Sequence, residues 1–397
     1  MQKKIEKIEE IIRETYLVID PGIVRVVCAA VIAHRLPADP VWLFIVAGSG
    51  SGKTEFLNAV GTATDVVPLS SLTPNTFISG QQRVGKETSL LLKINNGILS
   101  FKDFTSVLSM RDEDRNAIMG QLREIYDGSY KKAFGTGEEI NWKGKISMLA
   151  GVTTKIHITQ YMYAAMGERF IMYHFDQPDR IEVARRAMHN ADTIIEKREF
   201  IQKLFKTFLD EELPIPDSLP DIGDELKEEI ILLADLTTRA RSSLERNYRS
   251  PQQEITFRHD LEMPTRFSIQ LCVLAAALKI VNDNEIGPIE RNIIYKIGLD
   301  SIPHNRRMCL QQLLQHSSVE TSEIATLLGF STDTVRRWLE DLDALDIVNR
   351  IKTTHADRWE LHHRYRDILK KFEKICIDNR TKEEKELDDN IKDIFLG

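Results

Sequence analysis

The sequence predicts an α/β domain on a parallel sheet, then a helical region, then a C-terminal helix-turn-helix unit with a hairpin wing. Three observations carry this. Residues 41–46 (VWLFIV) are an unbroken apolar run of strand length, the pattern of a strand buried on both faces. That run leads directly into AGSGSGKT at 47–54, a glycine-rich turn opening a helix. Residues 321–345 (TSEIATLLGFSTDTVRRWLEDLDAL) read as two amphipathic helices with Gly in the turn between them.

The elements follow in order. Ile5, Ile8, Ile11 and Ile12 recur at helical spacing over 4–18. Asp20-Pro21-Gly22 ends that helix, and 23–34 reads as a second, largely buried one. Leu36-Pro37 through Pro40 is a turn before the run at 41–46. Further strands are expected at Val66-Val67, 97–101, 146–152 and 170–175, with helical patterns between them, notably at 114–126. Strands alternating with helices imply a parallel sheet. The expected division is an N-terminal helix at 1–19 and an α/β base at 20–178. From 179 the texture changes, and 179–210, 222–249 and 265–282 look helical. They are grouped as an all-helical domain at 179–303, followed by the helix-turn-helix unit at 304–372 and a polar tail at 373–397.

Composition narrows the function. There are 53 Lys+Arg and 60 Asp+Glu, a formal net charge of −7. A globally basic nucleic-acid coat is excluded, so any contact with nucleic acid must be a local patch. Cys28, Cys272, Cys309 and Cys376 lie far apart and form no Cys-x-x-Cys pair. This argues against a disulfide scaffold or zinc cluster and fits a cytoplasmic location. The charged N-terminus lacks the apolar core of a signal peptide. No stretch reaches the roughly 18 to 20 apolar residues of a membrane span, so no membrane partner is expected.

The strongest chemical signal is the loop Gly48, Ser49, Gly50, Ser51, Gly52, Lys53 and Thr54. Its glycines let successive backbone N–H groups curl around phosphate oxygens at a helix N-terminus. Lys53 would bridge the β- and γ-phosphates, and Thr54 would hold Mg²⁺. The competing reading is a Gly/Ser-rich turn with a chance Lys-Thr. A carboxylate is needed at a neighbouring strand end. GILSF at 97–101 runs into Lys102-Asp103-Phe104, where Asp103 is the only carboxylate. Asp103 would serve Mg²⁺ or the attacking water. Its competing role is to cap the following turn.

Taken together, these motifs resemble AAA+ ATPases. Among these, they look most like the clade of minichromosome maintenance helicases and their relatives on phages and mobile elements. The residues that carry the likeness are AGSGSGKT at 47–54, GILSFKDF at 97–104, LREIYDGSYKKAFGTGEEINWKGKISMLAGVT at 122–153, GERF at 167–170 and PTRFSIQL at 264–271. The resemblance implies a P-loop AAA+ base that binds ATP and Mg²⁺, with an all-helical lid. It implies that Thr153 is a polar sensor of the γ-phosphate, or merely ends its strand. It implies that Arg169 is an arginine finger reaching a neighbouring subunit, against a surface Arg paired with Glu168. It makes Arg266 the second sensor, against a solvated Arg at a helix start. The Lys102-Asp103 departure bears on the hydrolytic rate more than on nucleotide binding.

Between Tyr130 and Ser147, Gly135-Thr136-Gly137 marks a β-hairpin. Relatives use a hairpin here to touch DNA in a ring's channel. Lys131, Lys132, Lys143 and Lys145 would then face phosphates, with Phe134 or Trp142 packing or stacking. The alternative is an ordinary solvated hairpin, favoured by Glu138 and Glu139. At the C-terminus, 347–351 and 358–361 complete what looks like a winged helix. Thr332, Thr334, Arg336 and Arg337 are candidates for DNA contact, with Arg350, Lys352 and Arg358 at the wing. Residues 304–372 carry 11 Lys+Arg against 10 Asp+Glu, so use of the unit for protein contacts stays open. His362-His363 read as surface histidines. The implied function is an ATP-dependent motor on single-stranded or forked DNA. It would be a replicative helicase or initiator of a phage or mobile element, working as a hexameric ring or spiral. Other replication proteins are further candidate partners. The rival is a helicase loader or target-selecting regulator without unwinding. A third reading is a regulatory protein whose winged helix binds a protein partner.

Overall fold

The computed structural model describes residues 3–16, 20–78, 89–133, 139–158, 169–175, 180–247, 249–250, 253–316, 318–353 and 356–378. Five parallel strands form the central sheet: β1 (Trp42–Val46), β2 (Val66–Leu69), β3 (Gly97–Phe101), β6 (Ile146–Val152) and β7 (Phe170–His174), in the order β2-β3-β6-β1-β7. A separate antiparallel hairpin, β4 (Ser129–Ala133) with β5 (Glu139–Lys143), lies between β3 and β6 in the chain. β1, β3, β6 and β7 are buried along their whole length. Successive side chains alternate between faces, so β1 serves two cores. Leu43 and Ile45 join the larger one, whereas Trp42, Phe44 and Val46 join the other. In the second core Phe44 stacks on Phe170 at 3.9 Å between ring centroids.

The helix Ile23–Arg35 is buried at every residue from Ile23 to His34. It packs against the helix Thr265–Val281, which explains its largely apolar sequence. The one charge it buries, Arg25, donates to Glu9 at 2.6 and 2.9 Å, and also to Glu290 and Asn282. A buried cation is tolerated when its donors are matched this way. The larger core runs without a break from the N-terminal helix Lys4–Tyr16 through the helices Ile194–Thr207, Asp224–Arg241, Thr265–Val281 and Pro288–Asp300 into the C-terminal unit.

That unit contains the helices His304–Gln315, Thr321–Leu328 and Thr332–Ala344. They pack with a three-stranded antiparallel sheet of β10 (Val319–Glu320), β11 (Val348–Lys352) and β12 (Asp357–Leu361), ordered β10-β12-β11. Gly329, at φ +71°, ends the first helix of the pair in the left-handed conformation that glycine permits. Ser331 caps the second, its Oγ accepting from the Thr334 N–H at 3.2 Å.

Two expectations are corrected. The helix expected over 222–249 stops at Arg241, and β8 (Leu244–Arg246) pairs with β9 (Ile255–Arg258). The buried Arg306 donates to the carbonyls of Ala240 and Ser242, both at 2.8 Å. It thereby satisfies the exit of the helix, whose last carbonyls have no partners within it. The polar tail expected from 373 begins inside the helix His363–Asp378.

Candidate functional site

The glycine-rich loop hangs on the carboxyl end of β1. The Ala47 N–H donates to the carbonyl of Val152, at the end of β6, at 3.1 Å. Gly50 and Gly52 adopt φ +79° and +90°, a backbone that other residues rarely accept. Gly52 directly precedes the helix Lys53–Val60. A Cβ placed on Gly48, Gly50 or Gly52 would meet nothing within 4 Å. Space beside these glycines is therefore open, and those at 50 and 52 serve conformation rather than space. Lys53 is buried, and its Nζ donates to the carbonyls of Ala47 and Gly48, both at 2.7 Å. Burial lowers its pKa, and the negative charge of Asp103 opposes that shift. The loop thus combines open backbone, a helix N-terminus and a desolvated ammonium. This donor set fits a phosphate group.

β3 and β6 bring Asp103 and Thr153 to the same end of the sheet. Asp103 is exposed, and its Oδ1 accepts from the Thr105 N–H at 2.9 Å. The turn-capping role is therefore real. Its Oδ2 has no partner among the described residues. The Thr153 N–H donates to Thr105 Oγ1 at 3.0 Å, and that hydroxyl lies 3.3 Å from Thr153 Oγ1. A Cβ on Gly151 would come within 2.7 Å of the Lys102 carbonyl, so the glycine permits the close approach of the two strand tips. Thr54 is exposed on the first turn of its helix. Lys53, Thr54, Asp103 and Thr153 are thus gathered at the carboxyl ends of adjacent strands, where open α/β sheets bind ligands.

A cleft of about 380 Å³ adjoins the loop. Tyr16, Phe56, Val183, Ala187 and Ile194 contribute apolar surface, and Asn190 a polar group. Glu55 fixes one wall, accepting from Tyr16 Oη at 3.2 Å and from Arg198 at 2.6 and 2.9 Å. The sequence reading missed these residues. The one signal was the i, i+4 pair Val183 and Ala187, on a helix (Arg180–His189) that buries no residue fully.

Arg169 and Arg266 lie elsewhere. β7 starts at Phe170, paired with Trp42. Arg169 therefore sits at the amino end of the sheet, about 16 Å from the loop at 3.3 Å per strand residue. It is not a surface residue. It is 8% exposed and donates to Asp127 at 2.8 and 3.1 Å. Its expected pairing partner, Glu168, lies outside the described residues. Arg169 and Arg266 flank the Tyr126 ring at 5.4 and 6.0 Å. Beside them, Asp39, Tyr126, Asp127, Lys145 and Arg266 line a second cleft of about 480 Å³. Asp127 was not anticipated, because nothing in the sequence marks a partner 42 positions away.

In the β4–β5 hairpin, alternation puts Lys131 and Lys143 on the exposed face and Lys132 on the inner one. Lys131 pairs with Glu139 at 2.9 Å. One alternative is decided and one reading is corrected. Trp142 is buried, so it packs rather than stacks. Lys145 does not face phosphates: its Nζ donates to the Leu36 carbonyl at 2.7 Å, capping the exit of the helix Ile23–Arg35. Burial lowers the Lys145 pKa to about 8. Phe134 and the hairpin tip lie outside the described residues.

In the C-terminal unit, Arg336 pairs with Glu340 at 2.7 Å, and Arg337 donates to Gln253 Oε1 at 2.7 Å. Arg350 pairs with Asp357, and Arg358 lies 3.4 Å from Glu320. Thr332 and Lys352 are exposed, and Thr334 is half-buried.

Residues 307–353 match the family model described as a DeoR-like helix-turn-helix domain. The match spans the two helices and β11, and it supports DNA binding by this unit. No curated protein matches the chain. Among the described residues, no helix is long and apolar enough to cross a membrane.

Proposed function

We propose that the chain is an ATP-dependent, DNA-acting AAA+ motor, a replicative helicase or replication initiator of a phage or mobile element. The observation that carries this reading is the open glycine loop at the end of β1, with the buried Lys53 ammonium held on its own carbonyls. The phosphates of ATP would offer that ammonium and the loop N–H groups a better, charged acceptor. Thr54 and Asp103 would hold Mg²⁺, which when bound neutralises phosphate charge. Thr153 would orient the attacking water from the tip of β6, and the cleft beside Tyr16 would take the nucleoside. Arg169 and Arg266 sit at the far end of the sheet and cannot serve their own loop. The proposal therefore gives them to a neighbouring copy's site in a ring or spiral. For this, Arg169 must exchange Asp127 for phosphate.

One observation favours the second reading, a loader or target-selecting regulator without unwinding. Asp103 already spends one oxygen on the Thr105 N–H, leaving a single oxygen for metal and water. A slow ATPase suits a switch. The test is nucleotide binding and strand separation on forked DNA. Lys53→Ala is expected to abolish ATP binding. Wild-type protein that binds ATP without separating strands selects the switch. Wild-type protein that binds no ATP overturns both readings.

A further inference from the structure

The second helix of the pair, Thr332–Ala344, turns Val335, Leu339 and Leu342 into the core. At 100° per residue its opposite face carries Asp333, Arg337, Glu340 and Ala344, with Asp341 alongside. A recognition helix presents that face to the major groove. Here the middle of that face, from Arg337 to Asp341, is occupied by the β8–β9 hairpin, while Asp333 stays exposed. Arg246 Nη2 donates to the Arg337 carbonyl at 2.8 Å and to Asp341 Oδ1 at 2.6 Å. Its Nη1 lies 3.5 Å from Glu340. Gln253 Oε1 holds the Arg337 guanidinium, and Arg258 pairs with Asp346 at 2.9 Å. The Arg246 side chain is only 7% exposed, so a duplex cannot approach past it.

We infer that the β8–β9 hairpin is a mask over the recognition helix, which duplex DNA must displace before the helix can enter a groove. The inference rests on DNA binding by the helix-turn-helix unit. The contacts suit a releasable mask because these bonds are polar. Phe257 points outward at 54% exposure, and Leu244, at the start of β8, is the hairpin side chain that packs on the core. Release leaves no stranded charge at the main anchor. Asp341 keeps the buried Arg306, whose Nη2 lies 3.2 Å from its Oδ2. Arg337, freed from Gln253, gains reach toward a base edge or phosphate. The helix N-terminus at Ser331 and Thr332, with Lys352 on the wing, stays exposed and offers DNA a first foothold before the mask opens.

The test measures duplex-DNA affinity for the full chain, for Arg246→Ala, and for a variant whose residues 244–258 are replaced by a Gly-Ser linker. Helix content by circular dichroism checks that each folds. If the closed form dominates, opening it tightens binding by about tenfold. Hydrogen exchange on the unaltered protein gives an independent reading. Adding duplex DNA is expected to reduce amide protection in β8 and β9. Equal or weaker affinity in both variants overturns the mask. So does unchanged protection in the DNA-bound protein. Absence of duplex binding in every form overturns instead the DNA reading on which the mask rests.

Discussion

The Lys53 ammonium is a buried cation with two carbonyl partners and a carboxylate nearby, an arrangement that favours an arriving anion. Close to it, Gly151 sets how near the β3 and β6 tips approach. Gly151→Ala would drive a methyl group toward the Lys102 carbonyl and Leu57. We expect a loss of about 1–3 kcal/mol, the usual cost of overpacking, read by urea unfolding, together with weaker nucleotide binding as Asp103 shifts. His157 predicts a pH dependence. Burial, then the charges of His174, His304 and Arg307, push its pKa from 6.5 down to about 3. Burial takes His34 down to about 4. The unfolded chain binds these protons more readily, so folding is favoured fully above pH 6.5 and progressively less below it. Unfolding midpoints are expected to fall between pH 7 and pH 5. His157→Gln is expected to flatten that fall. A midpoint independent of pH would contradict the assignment.

Among elements, the recognition helix depends on its entry. Ser331 satisfies the Thr334 N–H, one of the four donors a helix start leaves open. Ser331→Ala is expected to cost about 1 kcal/mol, seen as a lower melting temperature, and to weaken DNA binding through fraying at Thr332. An unchanged melting temperature would show that the cap is dispensable. The helix Asp224–Arg241 shows the opposite control. Its sequence continues a helical pattern, yet a side chain from another helix, Arg306, takes its exit carbonyls. The chain thereby turns into β8 and reaches the recognition helix.

For the whole molecule, the net charge of −7 leaves only small surfaces for DNA contact, and two of the candidate surfaces are guarded. Lys131 is paired with Glu139, and Arg337 is held by Gln253. The position of Arg169 makes assembly testable. In the proposed ring, one copy contributes Lys53 and its neighbour contributes Arg169. Mixing Lys53→Ala with Arg169→Ala chains is then expected to restore part of the ATPase activity that each alone lacks. In a mixed ring some interfaces keep both residues. No recovery at any ratio would assign the finger elsewhere.

The strands of the parallel sheet, the glycine loop and the helix-turn-helix were legible in the amino-acid order. Each is written in local patterns: apolar runs, glycines at fixed offsets and helical periodicity. VWLFIV at 41–46 became β1 (Trp42–Val46), and GILSF and ISMLAGV became β3 and β6 as read. The gathering of Lys53, Asp103 and Thr153 was legible because each follows a strand, and parallel strands end on one side. The long-range pairings came from packing. Arg169 found Asp127, Trp142 entered a core, Lys145 capped a distant helix, and Arg246 crossed to Asp341. A charged side chain takes the matched, desolvated partner that packing brings to it, and no local pattern records which partner that is.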